Sequence, residues 1–147
     1  LHSALDDRTR IVYSEIHTNE QAVTAIGFWE RANAFFNQLG ITVERVLTDN
    51  GSCYRSRLWR TTLGSAGITP KFTRPYRPQT NGKVERFWRT LDEDVIEGAT
   101  FENLHHFANE LFEYLIYYNN HRPHQGLTGE TPKAFGATKT TAIQSAN

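Results

Sequence analysis

The stretch that decides the fold is Arg77-Pro78-Gln79-Thr80-Asn81-Gly82-Lys83-Val84-Glu85-Arg86, a turn-rich loop that leads into a predicted helix. Thr80 or Asn81 can cap this helix. Apolar residues then recur at helical spacing and predict a buried stripe, formed by Val84, Phe87, Trp88, Leu91 and Val95. Glu85 lies along the edge of the stripe, where its carboxylate can lean into a cleft. It is the first catalytic candidate, although a glutamate in a helix's first turn also suits the helix dipole and can pair with Arg89.

The composition is that of one globular domain. With 147 residues and 38% hydrophobic content, the chain is long enough to bury one core. It contains no apolar run of the ~20 residues that cross a bilayer and no signal-peptide pattern at the N-terminus, so we expect a soluble cytoplasmic protein with no membrane partner. Cys53 is the single cysteine, which excludes an internal disulfide and a cysteine-cluster metal site. We expect an idle thiol.

Charge is balanced overall but uneven along the chain. The formal net charge is zero, which argues against a protein that coats nucleic acid over its whole surface. The segment from Lys71 to Arg89 nevertheless carries six cations and one acid. Its aromatic residues and cations fit a nucleic-acid groove, and a solvated face with buried aromatics is the alternative. The candidate phosphate-binding cations of this strip are Lys71, Arg74, Arg77, Lys83 and Arg89.

The order of elements predicts a mixed α/β sheet. His2 to Asp6 and Arg10 to Ile16 read as a hairpin, followed by a helix that stops at Gly40 and for which Thr18 and Gln21 form a capping box. A strand from Ile41 to Thr48 ends at Asp49. A helix from Tyr54 to Ala66, a strand from Ile68 to Phe72, the helix of Glu85 and a last helix capped by Thr100 follow. Asp49 therefore lies at the carboxyl tip of a strand, the edge where α/β sheets bind ligands.

Asp49 and Glu85, with 35 residues between them, can meet at one end of the sheet. Paired carboxylates can serve as general acid and base, but the surrounding cations and the hard oxygen donors suit Mg²⁺ or Mn²⁺, which also bind phosphate. Phosphoryl transfer is the leading reaction class. The alternative for Asp49 is a turn-forming residue before Asn50-Gly51.

Three ordered motifs resemble one family. Leu47-Thr48-Asp49-Asn50-Gly51 and the segment from Pro78 to Arg86 resemble the core of retroviral-type integrases and bacterial insertion-sequence transposases, and Tyr118 to Leu127 with Thr131-Pro132 resembles the end of the transposase branch. The resemblance implies a ribonuclease H-like fold, two divalent metal ions, and an aspartate, aspartate, glutamate triad that cuts DNA ends and joins them to a target. Asp49 and Glu85 match its second and third members. Asn81 and Gly82 would let the loop approach DNA closely.

The chain departs from the family pattern at its start. The family's first aspartate lies on a central first strand, whereas Ala4 to Arg10 resembles the hairpin that follows that strand. We therefore expect an internal fragment that lacks the first, central strand and is inactive alone. Asp6 and Asp7 are interpreted as turn residues. Asp92 stands where retroviral integrases carry a DNA-contacting basic residue, which leaves Arg89 as the better contact.

The remaining conspicuous residues follow the last helix. His121 and His124 flank Arg122, for which we expect packing and phosphate contact because no further histidine or cysteine stands at zinc-site spacing. We expect a catalytic core over residues 1–136 and a flexible, frayed tail over 137–147. Trp29, Trp59 and Trp88 are expected in the core or at an interface.

The resemblance thus implies most of a bacterial DNA transposase core, nucleoid-associated and homo-oligomeric, that acts on transposon ends and target DNA with two Mg²⁺ or Mn²⁺ ions. Two alternatives stay open. One is a DNA-binding or assembly module of the same fold without chemistry, and the other is a simple metal-dependent nuclease. An aspartate on an added N-terminal strand separates the first from the transposase, and an assay of joining beside cutting separates the second.

Overall fold

The computed structural model of the chain describes residues 1–74, 82–127, 129–135 and 139–146. The five strands are β1 (His2–Asp6), β2 (Val12–Glu15), β3 (Thr42–Thr48), β4 (Thr69–Phe72) and β5 (Lys139–Ala146). The five α-helices of the described residues are α1 (Ala22–Gln38), α2 (Ser52–Arg55), α3 (Arg57–Ser65), α4 (Gly82–Leu91) and α5 (Leu104–Asn120). A π-helical segment, Asp92–Ile96, continues α4, and a short 3₁₀ turn, Gln125–Leu127, follows α5. None of the helices in the described ranges is long and apolar enough to cross a membrane.

The predicted hairpin is confirmed. β1 and β2 pair antiparallel from His2 opposite Glu15 to Leu5 opposite Val12. Asp6 closes the turn because its Oδ2 accepts hydrogen bonds from the Thr9 N–H, at 2.9 Å, and from the Thr9 hydroxyl. Its side chain is fully buried. Asp6 is therefore a turn residue, as its place in the sequence indicates.

The strands form one mixed sheet in the order β2-β1-β5-β3-β4. β5 lies in the centre, antiparallel to β1 and parallel to β3, and β4 is parallel to β3. A flexible tail was expected here, but Lys139–Ala146 is a strand with a partner on each side. The physical reason is that β1 and β3 each have a backbone edge that must find hydrogen-bond partners, and an extended segment rich in threonine supplies them.

The sheet has a hydrophobic cluster on each face. Ala4 faces the side that carries α1, α2 and α3, whereas its neighbour Leu5 faces α4 and α5, as expected for alternating side chains. Trp29 and Trp59 are buried in the first cluster, and Trp88 packs against the second. The predicted core positions of the three tryptophans are confirmed. The predicted stripe is also confirmed: Val84, Phe87 and Leu91 are buried, and Val95 and Trp88 are partly buried.

Several helix ends differ from the predicted ones. Gln21 precedes α1 without a side-chain cap, and the Asn19 carboxamide oxygen, not Thr18, accepts the Gln21 N–H at 3.1 Å. The cap of α5 is Asn103, three residues after the predicted Thr100, because the Asn103 side chain accepts the His106 N–H at 2.9 Å. The predicted helix from Tyr54 to Ala66 is two helices, since extended backbone at Ser56 ends α2 and the Ser56 hydroxyl accepts the Trp59 N–H to cap α3.

Candidate functional site

Asp49 follows the last residue of β3, as predicted. Its Oδ1 accepts the Gly51 N–H at 2.8 Å, so the turn interpretation is also correct. A Cβ atom at position 51 would lie 2.9 Å from the same Oδ1, which explains why glycine stands there. The turn fixes the direction of the half-buried carboxylate at the strand tip.

The loop after Asp49 is joined to the next strand. The Asn50 side chain donates from Nδ2 to the Thr73 carbonyl at 2.9 Å, and the Thr73 N–H donates to the Thr48 carbonyl at 2.9 Å. Within the parallel pair, Thr48 lies opposite Phe72. The tips of β3 and β4 therefore form one rigid edge that carries Asp49.

Glu85 occupies the first turn of α4 and is exposed. The helix is held by its buried residues Val84, Phe87 and Leu91, and it packs against β1 and β5. β3, which ends just before Asp49, pairs with β5, and α4, which carries Glu85, packs against β5. Both acids therefore lie on elements that contact the same strand. Carboxylates at the start of a helix and at a strand tip supply hard oxygen donors of the kind that Mg²⁺ binds.

Two carboxylates do not complete a metal site. Within the described ranges, no group of three or more histidine, cysteine, aspartate or glutamate side chains is arranged to hold a metal ion. The neighbouring central strand, Lys139–Ala146, contains no acidic residue. Asp49 and Glu85 therefore fit a divalent ion by chemistry and need a further ligand.

The predicted phosphate-binding residues have different surroundings. Lys71, Arg74 and Arg89 are exposed. The Lys83 ammonium instead pairs with Asp7 Oδ1 at 2.5 Å and donates to the Asp7 carbonyl at 3.2 Å. Arg122 is half-buried, with its guanidinium 5.9 Å from the centre of the Tyr118 ring. Gly82 begins α4, and Arg77 and Asn81 lie outside the described residues.

The C-terminal end of α5 and the segment after it form a structural clamp that the sequence did not reveal. The Asn119 side chain accepts the Val12 N–H and donates to the Val12 carbonyl, both at 2.9 Å, and so pairs with the outer edge of β2. The buried His124 ring stacks edge-on against Tyr118, with centroids 4.6 Å apart, and burial lowers the pKa of His124. The prediction of packing for His124 is confirmed. The one sequence signal for this role of Asn119 was its place as a polar residue next to the buried stripe of α5.

Cys53 is buried in α2, and its environment disfavours a thiolate. Burial raises the pKa of the Cys53 thiol, and the nearby charge of Asp49 raises it further. The expectation of an unreactive thiol is confirmed.

The amino-acid sequence matches a known family. Two family models, both described as an integrase core domain, match residues 1–78 and 66–132. The match to residues 1–78 alone spans more than half of the chain, and together the two cover every strand and helix described above except β5. The chain belongs to the integrase core domain family.

Curated relatives are transposases. The transposase for insertion sequence element IS904 of Lactococcus lactis subsp. lactis (strain IL1403) is 37% identical over 91 residues, which cover 61% of this chain and 36% of that protein. The putative transposase InsD for insertion element IS2E of Escherichia coli (strain K12) is 31% identical over 117 residues, 80% of this chain and 54% of that protein. The chain thus spans between about a third and a half of the length of these relatives.

Solved structures show the same fold. The catalytic core domain of BIV integrase matches with a TM-score of 0.70 at 23% identity, over 91% of this chain and 82% of that chain. The HTLV-2 integrase catalytic core domain, in complex with magnesium in a trimeric form, matches with a TM-score of 0.62 at 18% identity, over 91% of this chain and 82% of that one. The mixed sheet flanked by helices is therefore the ribonuclease H-like fold of integrase cores.

Proposed function

We propose that the chain forms part of the catalytic core of a bacterial transposase, which cleaves DNA at transposon ends and joins them to target DNA. The observation that carries the proposal is the placement of Asp49 at a strand tip and Glu85 in the first turn of α4, within an integrase core. The transposase relatives support this reaction class. Such a protein works in the cytoplasm on the nucleoid.

Asp49 and Glu85 are the proposed ligands of two Mg²⁺ or Mn²⁺ ions. When bound, the ions would supply activation of the attacking oxygen and stabilisation of the leaving oxygen of an in-line displacement. The Asx turn orients the Asp49 carboxylate. The proposed DNA contacts, which hold the phosphodiester near these two acids, are Lys71, Arg74, Arg77, Asn81, Gly82, Lys83, Arg89 and Arg122.

The test replaces each acid by its amide. In a protein of the relatives' length that contains this chain, Asp49→Asn and Glu85→Gln should each lower metal-dependent cutting and joining by at least about a hundredfold, because losing a charged ligand weakens a metal-stabilised transition state by several kcal/mol. Folding and DNA binding should stay nearly unchanged, since each substitution alters little volume.

Glu93→Gln is the matched control, because Glu93 is an exposed acid two turns further along the same helical segment. It should retain activity. Full activity in either Asp49→Asn or Glu85→Gln would contradict the site assignment. A protein that cuts but never joins would be the simple nuclease.

A DNA-binding or assembly module without chemistry is the second candidate. Its support is the pair of carboxylates without a third metal ligand among the described residues, beside a central strand that carries no acid. That protein would bind DNA with the same salt dependence but would show no metal-dependent turnover at any length of chain.

We further propose that the protein assembles as a homo-oligomer through α5. Phe112 and Ile116 are 66% and 43% exposed, and with Leu39 they border a largely apolar cavity of about 400 Å³ between α1, α5 and β2. Apolar side chains clustered on an exposed face are typical of protein interfaces. Two solved neighbours, both HTLV-2 integrase cores, are described in dimeric and trimeric forms.

A further inference from the structure

An arginine beside the Asp49 loop packs against an aromatic ring. Arg55 is the last residue of α2, and the centre of its guanidinium lies 4.5 Å from the centre of the Phe72 ring. This distance is typical of a cation stacked on an aromatic face. Arg55 is exposed. An exposed arginine ordinarily samples many rotamers, whereas the contact with Phe72 favours one position of this side chain.

Both partners of this contact are anchored to the strand tip that carries Asp49. Phe72 lies directly opposite Thr48, the residue before Asp49. The Arg55 N–H donates to the Gly51 carbonyl at 3.2 Å, two residues after Asp49. Buried Cys53 and Tyr54 fix α2 from below, and Tyr54 packs on Trp59 with ring centroids 5.0 Å apart. The guanidinium therefore has a fixed place at the edge of the candidate site.

The chemistry of a stacked guanidinium points to an anionic ligand. Stacking uses the flat face of the group, while its N–H donors lie in the plane and remain directed outward for bidentate contact with phosphate oxygens. Lys71 and Arg57, on the two neighbouring elements, are also exposed cations. The surroundings thus favour a polyanion over a single small anion.

We propose that Arg55, positioned by Phe72, binds a DNA backbone phosphate and so holds the phosphodiester next to Asp49. This inference rests on the proposed function, because it takes DNA as the ligand of the same site. It adds a DNA contact on α2, which lies outside the basic strip between Lys71 and Arg89. Phe72 acts as a positioning residue, since it contacts the arginine and not the DNA.

The first measurement is the salt dependence of binding. With the 147-residue chain and a labelled DNA duplex, Arg55→Ala should weaken binding about tenfold at low salt and reduce the slope of log affinity against log salt by about one unit, as for one lost phosphate contact. Lys133→Ala is the control. It removes one exposed cation beside Asn119 and β2, at the opposite edge of the sheet from β4, and should leave the slope unchanged.

The second measurement isolates the aromatic ring. Phe72→Leu keeps an apolar side chain but removes the stacking surface, so affinity should fall about two- to fivefold while the salt slope stays the same, because the charge remains. In the Arg55→Ala background, Phe72→Leu should have no further effect on binding. An equal effect in both backgrounds would show that Phe72 acts independently of Arg55. Thermal melting of each variant checks that the fold persists.

The outcomes separate this inference from the proposed function. An unchanged slope in Arg55→Ala, with normal binding by the parent chain, overturns the role of Arg55 alone. Absence of duplex binding by the parent chain at low salt overturns both. If Asp49→Asn retains full activity in the longer protein while Arg55→Ala loses one phosphate contact, the catalytic assignment fails and the role of Arg55 stands.

Discussion

At the scale of single residues, the Asn119 side chain takes the place of a neighbouring strand at the edge strand β2. Its carboxamide satisfies both backbone groups of Val12 on the outer edge of β2. Such a contact stabilises the fold and also covers an edge that could pair with another chain.

Asn119→Ala should therefore lower the free energy of unfolding by about 1–3 kcal/mol, because it leaves a partly buried N–H and carbonyl without partners. Urea denaturation measures the change. Asn120→Ala is the matched control: Asn120 is the next residue, and its side chain donates to the Ile116 carbonyl within its own helix, so its loss should cost less than about 0.5 kcal/mol. Equal effects in the two variants would show that the strand contact contributes nothing.

The residues that the sequence predicted correctly are those whose roles are local. Asp6 and Asp49 bond backbone groups two or three positions away, so their neighbours in the chain reveal the turn. Asn119 and Val12 are 107 positions apart, and no local pattern joins them. The same holds for the bidentate contact of Arg31 with Glu15, at 2.7 and 2.8 Å.

At the scale of elements, α5 has two different faces. Leu111, Tyr114 and Tyr118 are buried in the hydrophobic cluster on one face of the sheet, whereas Phe112 and Ile116 are exposed and border the apolar cavity between α1, α5 and β2. A glutamate at position 112 should therefore prevent association without disturbing the core.

Phe112→Glu should convert an oligomer into a monomer, because a charge in an apolar interface loses its hydration. Sedimentation or light scattering across a concentration series measures the mass. Glu113→Gln, an exposed neighbour on the same helix, should leave the mass unchanged. If the parent chain is monomeric at every concentration, the proposed interface on α5 is wrong.

Periodicity predicted the existence of the helices but not their ends. The apolar stripe of α4 has the predicted spacing because packing against the sheet requires it. The ends depend on which polar side chain reaches a free N–H group. The side chains of Asn103 and Ser56 cap α5 and α3, whereas the predicted caps Thr100 and Thr18 do not cap a helix.

At the scale of the whole molecule, the sheet depends on β5. β1 and β3 are not neighbours in the strand order, so the two pairs β2-β1 and β3-β4 are joined by β5 alone within the sheet. A substitution that disrupts β5 should therefore weaken the backbone hydrogen bonds of both β1 and β3.

Ala142→Pro tests this arrangement. Position 142 pairs with Asp6 on one side and Val46 on the other, and proline removes a donor and strains a central strand. The melting temperature should fall by several degrees, and hydrogen exchange should rise in both β1 and β3. Ala142→Ser, which keeps the N–H group, is the control. Unchanged hydrogen exchange in the proline variant would contradict a central β5 and support the predicted flexible tail.

The sequence could not predict the place of β5 because its residues are small and polar, a composition that locally indicates a frayed end. The family resemblance predicted a central strand that precedes the hairpin and is absent from this chain, whereas Lys139–Ala146 occupies the place between β1 and β3. The position of Asp49 was predictable, since a strand that ends in a turn is a local pattern. The relation of Asp49 to Glu85 depends on the whole sheet.

The central place of β5 also sets the timing of assembly during protein synthesis. Translation delivers the two outer strand pairs before the segment that joins them, so the nascent chain waits with two unpaired backbone edges at its future centre. Contacts of such long sequence separation form slowly. During that interval other nascent chains compete for the open edges, and a chaperone that shields extended backbone would raise the yield of the assembled sheet.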